Sequence, residues 1–381
     1  MDITNASTNM NDPSEDNDLS YDDYNLNLTL QSNCSYPLPY YYSFRYRLIG
    51  TLFQSIIFTS GCLGNIMVIT IVSRCRTMRT PTNCYLTSLA VADIMVLVAS
   101  VPLNIASYYV VSEQWLLPDF TCCLVIYLQY LGINCSTLSL VAFTVERYIA
   151  ICHPMKAHKM CTLHRAKRII LFTWVIAIFY CTPWFTTVGT RSIDYRHFTI
   201  KKCDFLYNRD VYFRFYFTDL IVFYIFPLLL TCVLYGLIMR TLMRRSGGIG
   251  RSATVRKNSV KAEIQSRMQV VKMLALVVAL FAILWLPYRG LLVYNSLASM
   301  FGGALYMQPW FLMFAKTCIF INSAINPILY NAMSTKFRNE FRKLLVCGGS
   351  EDTRHNLGGS SRYQTASNLS RIHTKVTDLE L

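Results

Sequence analysis

The stretch Cys122–Tyr148, CCLVIYLQYLGINCSTLSLVAFTVERY, carries no charge until Glu146. At a rise of about 1.5 Å per residue it exceeds the length of helix that crosses a hydrocarbon layer of about 30 Å. It therefore reads as a membrane-spanning helix that reaches both faces of a bilayer. One end offers a cysteine, the middle sets Gln129, Tyr130 and Asn134 at helical spacing, and the other end closes on Glu146, Arg147 and Tyr148.

Composition extends that reading to the whole chain. Of its 381 residues 53% are hydrophobic and 15% charged, against about 25% charged in a soluble domain. The net charge of +15 does not mark a nucleic-acid binder, because the basic residues cluster in short segments between apolar runs. That is the pattern of cytoplasmic loops. Seven apolar segments follow the membrane-helix template, at about 48–72, 82–110, 121–151, 166–187, 212–243, 270–298 and 309–330. The chain reads as an all-α membrane protein, a bundle of seven transmembrane helices.

Loop charge orients the bundle. Arg74, Arg76 and Arg79, then Lys156, Lys159, Arg165, Lys167 and Arg168, then the basic stretch 244–267 fall in alternate loops, which places those loops inside. The segments around Glu113 and Gly302 lack Lys and Arg, as outer loops do; the loop 191–209 is an exception, with Lys201 and Lys202 partly offset by Asp194 and Asp204. Residues 1–44 hold seven acidic residues, no Lys or Arg, and sequons at Asn5, Asn27 and Asn33. An extracellular, disordered, glycosylated tail over 1–46 is expected, with the first span acting as the targeting signal. The bundle then occupies 47–332.

Over 333–347, Phe337, Phe341 and Leu344 share one face while Lys336, Arg338, Arg342 and Lys343 lie elsewhere. That pattern predicts an eighth, amphipathic helix on the lipids of the inner leaflet, with Cys347 as a palmitoylation site. Residues 348–381 read as a disordered cytoplasmic tail. Most of the 14 cysteines sit inside apolar runs as small buried hydrophobes.

Polar residues deep in a span are costly and so are functional candidates. Asn65, Asp93 and Asn326 fall at comparable depth in the first, second and seventh spans. They form either a satisfied hydrogen-bond network or, with Ser136, a sodium site. Pro227, Pro287 and Pro327 interrupt spans and free backbone carbonyls.

Together, Asn65, Asp93, Glu146-Arg147-Tyr148, Trp174, Trp285-Leu286-Pro287 and Asn326-Pro327-Ile328-Leu329-Tyr330 resemble the rhodopsin-like G-protein-coupled receptors, in the family's order. Within that family the chain looks like the thyrotropin-releasing hormone receptors, by MRTPTNCYL (78–86), YLQYLGIN (127–134), ERYIAICHP (146–154), LPYR (286–289) and NSAINP (322–327).

The resemblance implies a Cys122–Cys203 disulfide, with Cys123 as a competitor. It also implies a ligand site at Tyr130, Asn134, Tyr288, Arg289 and Lys316, holding a short amidated peptide. Activation and G-protein coupling would fall to Glu146, Arg147, Tyr148, Trp285, Pro287, Asn326, Pro327 and Tyr330. The route it implies is the Gq class and phospholipase C, with arrestin and receptor kinases acting on the cytoplasmic tail and the plasma membrane as the location. Asp219 and Arg289 are expected to pair with each other across neighbouring helices or with the ligand, since a lone charge there costs several kcal/mol. Where the family often restrains its Arg147 equivalent with an acid on the sixth helix, this chain has Arg267.

Rival functions fit less well. A receptor for another neuropeptide or small ligand, coupled to another G protein, is the nearest alternative. A retinal protein needs its lysine seven residues before Pro327, where Phe320 stands, and an amine receptor needs an acid at Gln129. No internal repeat suggests a transporter, and no metal cluster or nucleophile and base pairing suggests an enzyme.

Overall fold

The computed structural model describes residues 39–207, 209–247, 254–333 and 335–346. Among these, seven helices are long and apolar enough to cross a membrane. The sequons at Asn5, Asn27 and Asn33, and Cys347, lie outside the described residues.

Helix starts follow local capping chemistry. Ser43 accepts from the Tyr46 N–H to open α1, Phe44–Arg74. Thr80 accepts from the Asn83 N–H to open α2, Pro81–Ala106, whose first residue has no N–H to leave unsatisfied. Helix α3, Asp119–Cys152, places Asp119 in its first turn, where a carboxylate favours the dipole. Thr162 caps α4, Leu163–Cys181. A short helix, Pro154–Met160, forms within the loop before it.

Between α4 and α5 the chain forms an antiparallel hairpin where the sequence suggested only a loop. Strand β1, Val188–Asp194, pairs with β2, Thr199–Phe205, from Val188↔Phe205 to Asp194↔Thr199. Its apolar Val188 and Ile200 are buried.

Helix α5 runs through Arg209–Leu220 and Phe226–Gly247, joined by a π-helical turn, Ile221–Ile225. Pro227 supplies no N–H to the Phe223 carbonyl and its ring crowds that group, so the turn before it widens. Helix α6, Thr254–Met300, starts well before the expected 270. No Gly or Pro occurs between Thr254 and Pro287, and helix-forming Lys, Ala, Glu, Gln and Arg carry the helix below the apolar run. Arg267 lies within it, and its side chain is outside the described set. Helix α7 is Pro309–Met333.

Helix α3 is central, packing against α2, α4, α5 and β1, while α7 packs on α1, α2 and α6. Gly132 permits the α2 contact: a Cβ there would stand 2.9 Å from the Ala92 carbonyl oxygen and 2.8 Å from Val96 Cγ2. Large apolar side chains on the perimeter, such as Phe53, Leu63, Phe172, Phe179 and Leu229, are exposed. That arrangement suits hydrocarbon and would be unfavourable in water. A separate unit begins at residue 334. In it, α8, Thr335–Val346, brings the Phe337 and Phe341 rings to 6.4 Å, and Lys343 pairs with Glu340.

Candidate functional site

At the hairpin end, the Cys122–Cys203 disulfide ties the start of α3 to β2. Cys123 stays a free thiol, donating to the Val188 carbonyl at 3.0 Å. Just inside, Tyr130 stacks on Trp184 with centroids 4.1 Å apart, and Tyr127 packs on Phe185 at 4.5 Å. Asn134 is fully buried. Its amide donates to Cys181 Sγ at 3.4 Å, and its Oδ1 has no partner.

Across the bundle, α6 presents Arg289 to Asp219 of α5 at 2.6 Å, both side chains 5% exposed or less. The expected pair is formed. The guanidinium lies 5.2 Å from the Trp285 ring and 5.7 Å from Tyr216, whose hydroxyl donates to the Arg289 carbonyl. Cation–π contact partly replaces the water that the guanidinium has lost. One nitrogen makes the whole contact with Asp219, so Asp219 Oδ1 and Arg289 Nε keep no partner, nor does Trp285 Nε1. Buried polar atoms are rarely left so, because each forfeits hydration without replacement. Tyr288 is half-buried beside Arg289.

Lys316 of α7 belongs to a second group. Its ammonium donates to Asn104 Oδ1 at 3.1 Å. Asn104 in turn donates to the Tyr108 hydroxyl at 2.6 Å and to Gln54 Oε1 at 3.0 Å, and Gln54 donates to Tyr108 and Thr317. Phe320, one turn deeper, is buried. In the α2–α3 loop Glu113 receives the Tyr42 hydroxyl at 2.7 Å and Lys202 of β2 at 2.9 Å. Burial pushes the Glu113 carboxyl up, but Lys316 and Lys202 outweigh it and hold it down at about 2. The Lys202 ammonium, which burial alone would lower, is raised by Glu113.

Sequence reading missed Glu113, Lys202, Asn104, Gln54 and Trp184 as site residues. Gln54 and Asn104 did carry a signal, being strongly polar side chains inside apolar runs.

Halfway down, Asp93 accepts from Asn326 at 2.8 Å and from Ser136 at 3.2 Å. Asn65 does not reach that carboxylate. It donates instead to the Gly61 and Ser323 carbonyls, tying α1 to α7. Asp93 and Asn326 are thus joined directly, with Ser136, while Asn65 stands apart from them and keeps its Oδ1 without a partner. Asn326 lies ten residues beyond Lys316 on α7, about 15 Å along the axis. At the opposite end, Arg147 pairs with Glu146 at 3.1 Å and donates to Thr82 of α2. Tyr148 meets His153 edge to face, and Tyr330 is buried. Trp285 packs on Phe281, one turn nearer this end.

The chain matches the sequence profile described as 7 transmembrane receptor (rhodopsin family) over residues 64–330. It is 42% identical over 354 residues to the thyrotropin-releasing hormone receptor of Gallus gallus, covering 88% of each chain. Identity to the thyrotropin-releasing hormone receptor of Homo sapiens is 43% over 320 residues, 79% of each. The growth hormone secretagogue receptor type 1 of Rattus norvegicus is 32% identical over 299 residues, 76% of this chain and 78% of that one. These are receptors rather than enzymes. With seven apolar helices in the family's order and that extent of match, the chain belongs to the rhodopsin-like family of seven-transmembrane, G-protein-coupled receptors, and is closely related to the thyrotropin-releasing hormone receptors.

Proposed function

We propose that the chain is a plasma-membrane receptor for a short amidated peptide of the thyrotropin-releasing hormone type. In this reading the hairpin end faces outward, the basic loops face the cytoplasm, and a G protein of the Gq class carries the signal to phospholipase C and calcium. The observation that carries the proposal is the set of buried, unpartnered polar atoms on three helices: Asn134 Oδ1, Asp219 Oδ1, Arg289 Nε and Trp285 Nε1. A peptide supplies both N–H donors and carbonyl acceptors to such atoms. Binding that satisfies them in one arrangement of α6 better than in another shifts the equilibrium between the two.

Each residue has a role in that reading. Tyr130 and Asn134 receive a lactam-like end, Tyr288 packs against a ring, and Lys316 donates to the amidated end. Trp285 and Pro287 form the part of α6 that bends, and Asn326, Pro327 and Tyr330 the corresponding part of α7. Movement there frees Arg147 from Glu146 and Thr82 for the G protein. Arrestin and receptor kinases would meet the cytoplasmic tail, and α8 the lipid surface.

The carboxylate of Asp93 with the oxygens of Ser136 and Asn326 is a hard donor set that fits a sodium ion. Bound there, the ion would neutralise a carboxylate that the described structure satisfies by hydrogen bonds alone.

Lysine at 316 keeps a positive charge but lacks the planar fork of the arginine found there in the family pattern. Lys316→Ala is expected to lower the potency of amidated tripeptides roughly tenfold to a hundredfold, the worth of a charged hydrogen bond of about 1.5–3 kcal/mol. Lys316→Arg should retain activity and reorder a panel of related amides, read by calcium release at matched surface expression. Identical responses from all three receptors to every amide would overturn the proposal, as would activation by non-peptide ligands alone.

A further inference from the structure

The mouth of the site holds a fixed negative charge that the peptide reading does not yet use. Glu113 and its neighbour Ser112 both adopt left-handed backbone conformations, with φ of 58° and 48°. Side chains with a Cβ avoid that region, so the surroundings must impose it. They do so through the segment preceding α1. The Ser112 N–H donates to the Tyr40 carbonyl at 2.9 Å, and the Tyr40 N–H donates to Ser112 Oγ at 3.1 Å.

The carboxylate is equally constrained. Its Oε1 accepts from Tyr42 and its Oε2 pairs with Lys202. Tyr42 is itself stacked on Tyr46 with centroids 4.4 Å apart and meets Tyr108 edge to face at 5.9 Å. Tyr108 is the hydroxyl that binds Asn104, and Asn104 holds Lys316. An unbroken run of contacts therefore leads from Glu113 to Lys316. Glu113 and Lys202 have side chains only 25% and 29% exposed, which limits screening by salt.

Two lysines without Glu113 would make a doubly positive mouth, and such a mouth prefers a carboxylate. Glu113 takes up one of those charges through Lys202 and leaves the mouth one net positive charge, so an incoming carboxylate gains less attraction and meets a fixed like charge, while a carboxamide is little affected. We infer that Glu113 is a specificity-determining residue that weakens the site's attraction for peptides ending in a free acid and so shifts selection toward the amide. This rests on the reading of Lys316 as the contact for the peptide's amidated end.

The test compares the amide and free-acid forms of one tripeptide on the full-length receptor in cells, by calcium release with surface receptor counted. Wild type should favour the amide. Glu113→Gln, which keeps the shape and can still accept from Tyr42, should raise the potency of the acid and narrow the amide preference by about tenfold or more. Glu113→Asp should keep the preference, and Lys202→Gln should widen it. An unchanged amide-to-acid ratio in Glu113→Gln, or an equal loss for both forms, would overturn the inference while leaving the peptide reading intact. If neither form activates the wild-type receptor, the peptide reading fails and the inference falls with it.

Discussion

Asp219→Asn and Arg289→Gln are each expected to destabilise the receptor by roughly 3–5 kcal/mol, because each leaves an uncompensated charge buried between α5 and α6. The contact is short, at 2.6 Å, and almost fully enclosed. Its partial cation–π support from Trp285 and Tyr216 persists without Asp219 but does not replace a carboxylate. In the double variant both charges are gone, so its loss should be smaller than the sum of the single losses by roughly 2 kcal/mol. Thermal unfolding of the detergent-solubilised receptor measures this directly, and agonist potency at matched surface expression gives a second cycle. Additive losses in both would show that the two residues act separately.

The second large effect concerns the disulfide. Cys122→Ser or Cys203→Ser opens a cross-link between residues 81 positions apart and is expected to cost roughly 2–5 kcal/mol. The functional loss should be larger than that figure suggests, since the bond is the covalent link between the hairpin and α3. The same hairpin carries Lys202, and α3 carries Tyr130 and Asn134. Cys123→Ser should behave as wild type, because its thiol makes only a hydrogen bond to Val188. Agonist response and surface display of the three variants decide the matter. A Cys122→Ser receptor that still responds fully would mean that Cys123 takes over the bridge.

Much of the bundle was legible in the chain because a bilayer imposes a simple demand. Every spanning segment must satisfy its own backbone and present apolar side chains, so length and hydropathy mark the helices residue by residue. Helix ends were less legible. Helix α6 continues to Thr254 because propensity, not hydropathy, governs it beyond the apolar run. The hairpin escaped notice for a related reason: β1 and β2 are mixed in polarity, and their few apolar residues are buried only in the folded bundle, where β1 packs on α3.

For the site, the sequence by itself marked only part of the polar set. Asp93, Asp219 and Arg289 stood out because an ionisable group inside a span is too costly to be incidental, and Asn134 and Lys316 through the family resemblance, while Gln54 and Asn104 went unnoticed. Their partners were decided by tertiary structure alone. Asn65 turns to the Ser323 and Gly61 carbonyls rather than to Asp93, Lys316 settles on Asn104, and Glu113 joins Tyr42 to Lys202. These choices depend on how far each helix is rotated and how closely it approaches its neighbour, as where Gly132 lets α3 close on α2. That geometry arises from side chains packing across separations of tens to hundreds of residues, which no local pattern encodes.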